Sequence, residues 1–389
     1  MTTEPMDLSL IELFAGAGMV RAAIDGLPVT VTFANDICPT KAASYRANWG
    51  DAELHVSDIA TVKPSMIKGS PSVMWASSPC QDLSLAGNGA GFTAARSGAI
   101  WPTLDLLESL HGETRAPAIF CWENVPGALT AANAAGIASI ADRLAAMGYA
   151  FGIVAIDAAE FLPQSRLRVF MVAIRSDLAA HVAQDEPGEF HSPLIVSTFN
   201  RLPVAIQRHW RWWRLPKPAA RNVTLAAVLE PDGSVTWDDP SKTAAILSAM
   251  APLHRTKLAT VQNSGARTIG TFYRRTRIDK NGKKAPTYEV RFDGLAGCLR
   301  TAAGGSSVQR LIVIDKGATR TRKMTAREAA RLMGLSDAYI LPSRSTVAYS
   351  LAGDGVAVPV VRHLFERLIL PALNGAKGAA PVVVLRGAA

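Results

Sequence analysis

The sequence predicts an α/β protein with a doubly wound, mostly parallel sheet, followed by a smaller and more irregular α+β domain. Short apolar runs typical of buried strands alternate with amphipathic stretches typical of helices between residues 8 and 175. From about residue 176 this alternation gives way to polar, basic sequence interrupted by proline and tryptophan. The chain has 389 residues, 49% of them hydrophobic, which is enough for one large core and a second smaller one.

The first domain is predicted to contain six principal strands and four helices. The strands are the runs LSLIELF, VTVTFAND, PSVMWASS, APAIFCWEN, FGIVAID and RVFMVAI. The helices are MVRAAIDGL, PTKAASYRANW, SGAIWPTLDLLESL and IASIADRLAAMG. The alternation of these elements along the chain predicts an open sheet that is covered on both faces.

Two helices near the C terminus are expected to return to the first domain. In MTAREAARLMGL, Thr325 is the predicted N-cap and Glu328 completes a capping box. The second helix, VPVVRHLFERLILPAL, follows the sequence GDG. We therefore expect a first domain over 1–175, a second over 176–310, a returning segment over 311–375 and a weakly ordered tail over 376–389.

Charge and cysteine content narrow the class of function. The net charge of +9 favours a polyanionic partner such as nucleic acid. The four cysteines, which form no CxxC pair, predict neither a zinc site nor a disulfide framework and indicate a reducing cytosol. Since no apolar run approaches the roughly 18 residues of a membrane span and the N terminus is acidic, we expect a cytoplasmic protein.

Polar and glycine residues at the strand ends suggest a nucleoside pocket. The turn Phe14-Ala15-Gly16-Ala17-Gly18 could hold a cofactor against bare backbone, although tight bends need glycine anyway. Arg21 replaces the third glycine of GxGxxG, which disfavours a bound phosphate. Asp36 could accept hydrogen bonds from ribose hydroxyls and Asp58 from an adenine amino group, while either alone could equally cap a helix or lie in a solvated turn.

Three further segments bring reactive side chains to the same edge of the predicted sheet. Cys80, in the loop Ser78-Pro79-Cys80-Gln81-Asp82-Leu83-Ser84, is either an inert buried residue or an exposed nucleophile. Glu123 follows on the next strand as a candidate acid. Arg166 and Arg168 point the same way, which suits binding a polar ring, a phosphate or the carboxylate of Glu123. An exposed basic edge strand would show the same pattern.

Basic and aromatic residues interleave in the second domain. The stretch RHWRWWR over 208–214 either pairs with phosphates or packs as a ridge of arginines stacked on tryptophans. The stretch GTFYRRTRIDKNGKK is predicted to form a basic hairpin with an Asn281-Gly282 turn, whose Arg274, Arg275 and Arg277 contact nucleic acid. The role of Gly304-Gly305-Ser306-Ser307 stays open.

Taken in order, the motifs FAGAG, ND, SDI, PCQDLS, ENV, QSRLR, TAREAARLMG and GDGVAVPV resemble those of the cytosine-C5 DNA methyltransferases. The resemblance covers about residues 8–175 and 311–370 and leaves the middle region unmatched, as a variable target-recognition domain would be. It implies a Rossmann-like enzyme that uses S-adenosylmethionine and acts on double-stranded DNA as a monomer, with no metal. Neither the recognition sequence nor a partner restriction enzyme follows from it.

The resemblance also implies a role for each matched residue. Cys80 adds to C6 of a flipped-out cytosine, Glu123 holds N3 and the amino group, and Arg168 contacts O2. Arg166 braces the closed cysteine loop. The cofactor is surrounded by Phe14, Ala15, Gly16, Gly18, Asp36, Ile37, Asp58, Ile59, Pro79, Asp354 and Gly355, and DNA is contacted by Gln81, Ser84 and Gln164 together with the hairpin arginines.

The chain departs from the family in its last motif, where Asp354 follows Gly353 in place of the usual asparagine. A carboxylate there could favour the sulfonium cation of the donor or disfavour its carboxylate, so we expect altered donor affinity or donor choice. Asp36 stands where glutamate is more usual.

Three rival functions are considered. They are an RNA cytosine methyltransferase, whose Cys-Phe-Thr signature the sequence lacks, a nucleotide-dependent oxidoreductase, and a catalytically silent DNA-binding regulator.

Overall fold

The computed structural model describes residues 8–80, 83, 92, 97–278, 282, 284–301 and 308–375. The expected tail over 376–389, the loop residues Gln81 and Ser84, and the segment Gly304-Gly305-Ser306-Ser307 lie outside the described residues. Within the described part of the chain, no helix is both long and apolar enough to cross a membrane.

A seven-stranded sheet in the order β3-β2-β1-β4-β5-β7-β6 forms the centre of the first domain. Its strands are β1 (Leu8–Leu13), β2 (Val29–Asp36), β3 (Leu54–Val56), β4 (Val73–Ala76), β5 (Ile119–Asn124), β6 (Tyr149–Asp157) and β7 (Leu167–Arg175). Only β7 runs against its neighbours, since it pairs antiparallel with both β5 and β6. The predicted mostly parallel, doubly wound sheet is confirmed.

Helices cover both faces of this sheet, namely α1 (Met19–Ile24), α2 (Pro39–Trp49), α3 (Ile100–Gly112) and α4 (Ala134–Ala146). Successive residues of a strand point to opposite faces, so Met74 and Trp75 are fully buried in two different apolar clusters. Burying one such large side chain contributes about 2–3 kcal/mol. The apolar character of both faces explains why the strands appear in the sequence as continuous hydrophobic runs.

The C-terminal helices pack on the face of the sheet that holds Trp75. They are α11 (Ala326–Leu332), α12 (Ser345–Asp354), α13 (Val358–Leu364) and α14 (Leu370–Gly375), with a π-helical turn at Phe365–Ile369. The ring centroids of Phe365 and Trp75 lie 6.0 Å apart. The predicted capping box is present, because Thr325 N–H donates to Glu328 Oε2 at 2.8 Å and Glu328 N–H donates to Thr325 Oγ1 at 3.2 Å.

A second, antiparallel sheet has the strand order β11-β10-β12-β13. It consists of β10 (Thr268–Ile278), β11 (Lys284–Arg291), β12 (Arg310–Asp315) and β13 (Ala318–Lys323), with α9 (Pro240–Ser248) and α10 (Pro252–Asn263) beside it. The predicted basic hairpin is β10 and β11, which pair up to Ile278 and Lys284. The expected boundary at residue 310 is wrong, because β12 is hydrogen-bonded between β10 and β13 and the sheet continues to Lys323.

Residues 176–215 form a layer against the first sheet, so the expected boundary at 175 also falls inside a packed unit. This region contains α5 (Ser176–Ala179), β8 (Ala183–Gln184), α6 (Pro193–Arg201), α7 (Val204–Gln207) and β9 (Trp212–Trp213), and α8 (Leu225–Val228) follows it. Trp213 is fully buried and its indole N–H donates to Val172 O at 3.1 Å. Trp210 packs edge-on against Phe151. The stretch RHWRWWR is therefore a packed ridge, with its tryptophans directed into the first domain.

Candidate active site

The carboxyl ends of β1, β2, β4 and β5 meet at one edge of the large sheet, where a cavity of about 340 Å3 opens. Residues from the glycine-rich turn, the strand ends, the cysteine loop and the last motif line it. They include Phe14, Ala15, Gly16, Asp36, Ile37, Lys41, Asp58, Ile59, Pro79, Cys80, Glu123, Arg166, Arg168, Asp354 and Gly355. Sequence positions that are far apart thus come together at the edge where the cofactor and the base are expected.

The glycine-rich turn combines a tight bend with an open approach to backbone. Phe14, Gly16 and Gly18 have left-handed φ angles of 57°, 57° and 76°. A Cβ at Gly18 would lie 2.4 Å from the indole nitrogen of Trp49, so this glycine is needed for packing at the start of α1. Around Gly16 the nearest atom to such a Cβ would be Phe14 O at 3.9 Å, which leaves the backbone accessible from the cavity.

Both predicted acids, Asp36 and Asp58, line the cavity, and both also accept hydrogen bonds from backbone N–H groups. The two oxygens of Asp36 accept hydrogen bonds from Gly16 N–H at 2.8 Å and Cys38 N–H at 2.7 Å, which ties the glycine turn to the end of β2. Asp58 accepts from Ala60 N–H at 3.0 Å and caps a short 3-10 turn. Since a carboxylate oxygen can accept two hydrogen bonds, each acid retains capacity for a ligand.

Beside the acids, Ile37 is exposed and Ile59 is buried, so apolar surface adjoins the polar groups. A nucleoside offers the same combination of a flat apolar ring and hydroxyl groups.

Cys80, Glu123 and Arg168 form the opposite end of the cavity. Arg168 Nε lies 3.2 Å from Glu123 Oε1, and the carboxylate is almost fully buried. Burial raises the pKa of Glu123 although Arg168 and Arg166 oppose the change. Burial also raises the pKa of the Cys80 thiol, again against the opposing effect of the two guanidinium groups. Burial therefore shifts both Glu123 and Cys80 toward their neutral, protonated forms.

Arg166 holds the backbone of the last motif. Its Nη2 donates to Gly353 O at 3.0 Å and Gly355 O at 2.5 Å, and its Nη1 donates to Leu299 O at 3.1 Å. A Cβ at Gly355 would lie 2.1 Å from Met19 Sδ, so the motif also packs closely on α1. The expected bracing of the cysteine loop concerns residues largely outside the described part of the chain. In the described part, Arg166 fixes the main chain on both sides of Asp354.

The expected DNA contact of Gln164 is wrong for this structure, because its side chain is fully buried. Its Oε1 accepts from Leu299 N–H at 3.1 Å, and its Nε2 donates to Leu332 O at 2.6 Å. Gln164 therefore joins three segments of the fold and offers no surface to DNA.

The hairpin arginines lie away from the cavity on β10. Arg275 and Arg277 share one face of the strand and both pair with Glu289 of β11, at 3.4 Å for Arg275 Nε and 2.9 Å for Arg277 Nε. Arg274 points to the other face and is exposed. The hairpin thus presents positive charge on both of its faces.

Two polar residues at the site were not singled out from the sequence. Lys41 Nζ lies 2.9 Å from Asp354 Oδ2, and Cys298 Sγ accepts a hydrogen bond from Arg166 Nη1 at 3.5 Å. Lys41 lies in the first turn of α2. Its position in the sequence soon after the end of β2 could have indicated that it lies at the site. Cys298 belongs to a segment without recognisable periodicity, so nothing indicated its position. Among the described residues, no group of three or more His, Cys, Asp or Glu side chains could hold a metal ion.

Comparison with known proteins identifies relatives over almost the whole chain. A family profile described as C-5 cytosine-specific DNA methylase matches residues 8–370. The Type II methyltransferase M.HhaI of Haemophilus parahaemolyticus is 23% identical over 358 residues, which cover 92% of this chain and 93% of the relative. The Type II methyltransferase M.HpaII of Haemophilus parainfluenzae is 25% identical over 381 residues, which cover 93% and 89%.

Solved structures share the fold. The S. pombe Dnmt2 methyltransferase is 18% identical, with a TM-score of 0.56 over 94% of this chain and 99% of that one. A putative DNA modification methyltransferase encoded within an E. coli prophage is 16% identical, with a TM-score of 0.58 over 96% and 100%. The predicted enzyme class, a DNA (cytosine-5-)-methyltransferase, is confirmed by the family match, and the chain belongs to the C-5 cytosine-specific DNA methylase family.

Proposed function

We propose that the protein transfers a methyl group from S-adenosylmethionine to C5 of a cytosine flipped out of a specific duplex DNA sequence, through a covalent bond between Cys80 Sγ and C6. The observation that carries this proposal is the convergence of Cys80, Glu123 and Arg168 at one end of a single cavity. The other end offers Asp36 and Asp58 beside open glycine backbone. One cavity thus has room for a nucleoside-bearing donor next to a reacting base.

The lining residues fit S-adenosylmethionine better than a phosphorylated nucleotide. The described cations of the cavity are Lys41, Arg166 and Arg168, and the two arginines are engaged by backbone carbonyls and by Glu123. Asp36 and Asp58 would accept hydrogen bonds from the ribose hydroxyls and the adenine amino group. When bound, the cofactor supplies a methyl group on an electrophilic sulfonium sulfur.

Cys80 and Glu123 would make the ring of cytosine reactive. C5 of cytosine is too electron-poor to attack a methyl sulfonium, but addition of the Cys80 thiolate to C6 makes C5 nucleophilic. Glu123 donates a hydrogen bond or proton to N3 and so stabilises the negative charge that the addition creates. C5 would then take the methyl group as the bond from that group to the donor sulfur breaks. Loss of the C5 proton to solvent, return of the N3 proton to Glu123 and elimination of the thiolate restore the ring and release Cys80.

Arg168 has two tasks in this scheme. Its contact with Glu123 orients the carboxyl group, and its positive charge opposes the burial that raises the pKa of Cys80. The guanidinium would also donate to O2 of the base. Flipping the base costs a few kcal/mol, roughly, which these hydrogen bonds would offset.

The second sheet is proposed to read the DNA. We assign this role to the unit of β10–β13 with α9 and α10, whose hairpin carries Arg274, Arg275 and Arg277. Arginines on such a hairpin can neutralise phosphates or donate to guanine edges. The enzyme would act as a monomer on the DNA of a bacterial or phage host. The relatives M.HhaI and M.HpaII are Type II methyltransferases of bacteria.

Methylation of plasmid DNA tests the proposal. The protein is incubated with S-adenosylmethionine and plasmid DNA, and modified cytosines are mapped at single-base resolution; Cys80→Ser is the matched control. We expect C5-methylcytosine at one recurring sequence with the intact protein and none with the variant. A parallel incubation with RNA separates the RNA alternative. Absence of modification by the intact protein, or equal modification by Cys80→Ser, would refute the mechanism.

A further inference from the structure

An ion pair crosses the cavity between two walls that are distant in sequence. Lys41 is in the first turn of α2, and Asp354 is the last residue of α12. Their side chains meet at 2.9 Å between Nζ and Oδ2, and each remains about one-third exposed, at 28% and 33%. Both residues line the cavity. A ligand in the cavity would therefore meet this pair directly.

The two partners differ in how firmly they are held. Asp354 lies between Gly353 and Gly355, whose carbonyl oxygens both accept hydrogen bonds from Arg166. A Cβ at Gly353 would lie 2.6 Å from the backbone of Arg300, so the main chain before Asp354 packs closely on that segment. Lys41, by contrast, carries its charge on a flexible four-carbon stem. The backbone that carries the carboxylate is thus held in place, and the ammonium group can change partner.

Asp354 lines the cavity and interacts electrostatically with Lys41 and with Cys80. Burial lowers the pKa of Lys41, but the charge of Asp354, its hydrogen bond to Lys41 and the charge of Asp36 together outweigh burial, so the pKa is raised. Burial is also the main cause that raises the pKa of Cys80, and Asp354 contributes in the same direction. One carboxylate therefore acts both on a lysine beside Asp36 and on the thiol that is proposed to bind the base. A methyl donor whose sulfur reaches a base at Cys80 would bring that sulfur close to Asp354.

We propose that Asp354 selects the methyl donor by the positive charge at its sulfur, and that Lys41 neutralises this carboxylate only until the donor binds. The inference rests on the proposed function, since it requires a sulfonium donor. The donor brings a sulfonium, an ammonium and a carboxylate group, so Lys41 can exchange Asp354 for the donor's own carboxylate. Methyl transfer removes the charge from sulfur, and the neutral thioether product loses the attraction to Asp354. The same residue thus favours binding of fresh donor and release of spent donor.

The effect of the positive charge at sulfur can be measured by comparing the binding of two stable ligands. S-adenosylhomocysteine is neutral at sulfur, whereas sinefungin carries an amine, protonated at neutral pH, in place of the methylated sulfur; both share the adenosine and amino-acid ends. Dissociation constants are measured by calorimetry on the full chain without DNA. We expect the intact protein to favour sinefungin, and Asp354→Asn to reduce that preference about tenfold, a value between those for a charge pair in water and at a protein surface. The affinity for S-adenosylhomocysteine should change less.

Lys41→Met is the matched control variant. It removes the cation of the pair but keeps the carboxylate of Asp354, so it should retain or increase the preference for sinefungin. It should also weaken the binding of both ligands, because both have the carboxylate group that Lys41 is proposed to bind. An unchanged preference in Asp354→Asn, with both ligands still bound, would overturn the inference and leave the proposed function intact. Failure of the intact protein to bind either ligand would overturn both. Circular dichroism confirms that each variant is folded before binding is compared.

Discussion

The guanidinium group of Arg168 contacts the carboxylate of Glu123 at 3.2 Å in an almost fully buried part of the cavity. Arg168 influences two groups that titrate, Glu123 and Cys80. Arg168 opposes the rise in pKa that burial causes both in Glu123 and in the thiol of Cys80. A single positive charge therefore adjusts the nucleophile and the acid together, and its removal should move both in the same direction.

Arg168→Met should shift the pH profile of methylation to higher pH. Without the guanidinium, the pKa values of Cys80 and Glu123 both rise, so the thiolate forms at higher pH and the carboxyl group stays protonated to higher pH. We also expect the maximal rate to fall roughly 10²-fold, because the acid loses its orientation. Single-turnover rates between pH 6 and 9 measure both effects. A profile of reduced height at unchanged pH would show that Arg168 acts only by contact with the substrate.

Glu12 predicts a pH dependence of stability that is unrelated to catalysis. It lies 1% exposed on β1, and burial raises its pKa to about 8, opposed by Arg21. The folded protein therefore binds a proton more tightly than the unfolded chain, and the free energy of unfolding falls as pH rises from about 4.5 to 8. Between pH 6 and 8 the loss is about 2 kcal/mol.

Glu12→Gln should remove this slope, as measured by urea unfolding at the two pH values. Glu189→Gln, a change at an exposed ion pair with Lys217, serves as the control and should keep the slope. Equal slopes in Glu12→Gln and the intact protein would mean that Glu12 is ionised in the fold.

The sequence predicted those parts of the site that depend on local pattern. Asp36 and Glu123 were found because buried strands have a recognisable apolar run and their ends meet at one edge of a parallel sheet. The Lys41–Asp354 pair was not found, since it joins the start of α2 to the end of α12, two positions that are far apart in the sequence. The resemblance implied a DNA contact for Gln164, but the side chain is buried by partners from two segments that are distant in sequence.

The predicted boundary at residue 310 was wrong for a similar reason, because the contacts that decide it are distant in sequence. The apolar run of β12 is equally compatible with either sheet, and only strand pairing assigns it to the second.

The capping box of α11 carries a second interaction that the sequence motif did not reveal. Glu328 is fully buried and forms a bidentate ion pair with Arg322, at 2.8 Å and 2.6 Å. Glu328→Ala would leave the buried charge of Arg322 unpaired and should cost about 3–5 kcal/mol of unfolding free energy. Thr325→Ala, which removes only the cap, should cost about 1 kcal/mol. Urea unfolding of both variants tests this; similar costs would show that the ion pair contributes little.

The hairpin arginines and the arginines of the tryptophan ridge should differ in their effect on DNA binding. Arg274 and Arg277 are exposed on β10 of the second sheet, whereas Arg208 is exposed on the layer that packs against the first sheet. If the hairpin contacts phosphates, Arg277→Ala and Arg274→Ala should each weaken binding and reduce the slope of log Kd against log salt by about 1. Arg208→Ala, which removes the same charge elsewhere, should leave that slope unchanged.

Fluorescence anisotropy with a labelled duplex at several salt concentrations gives the slopes directly. Since all three variants lower the net charge equally, a non-specific electrostatic effect would reduce the slope to the same extent in each. A reduction in the hairpin variants alone would therefore locate the phosphate contacts on β10. Equal slopes for Arg208→Ala and Arg277→Ala would contradict the assignment of DNA reading to the second sheet.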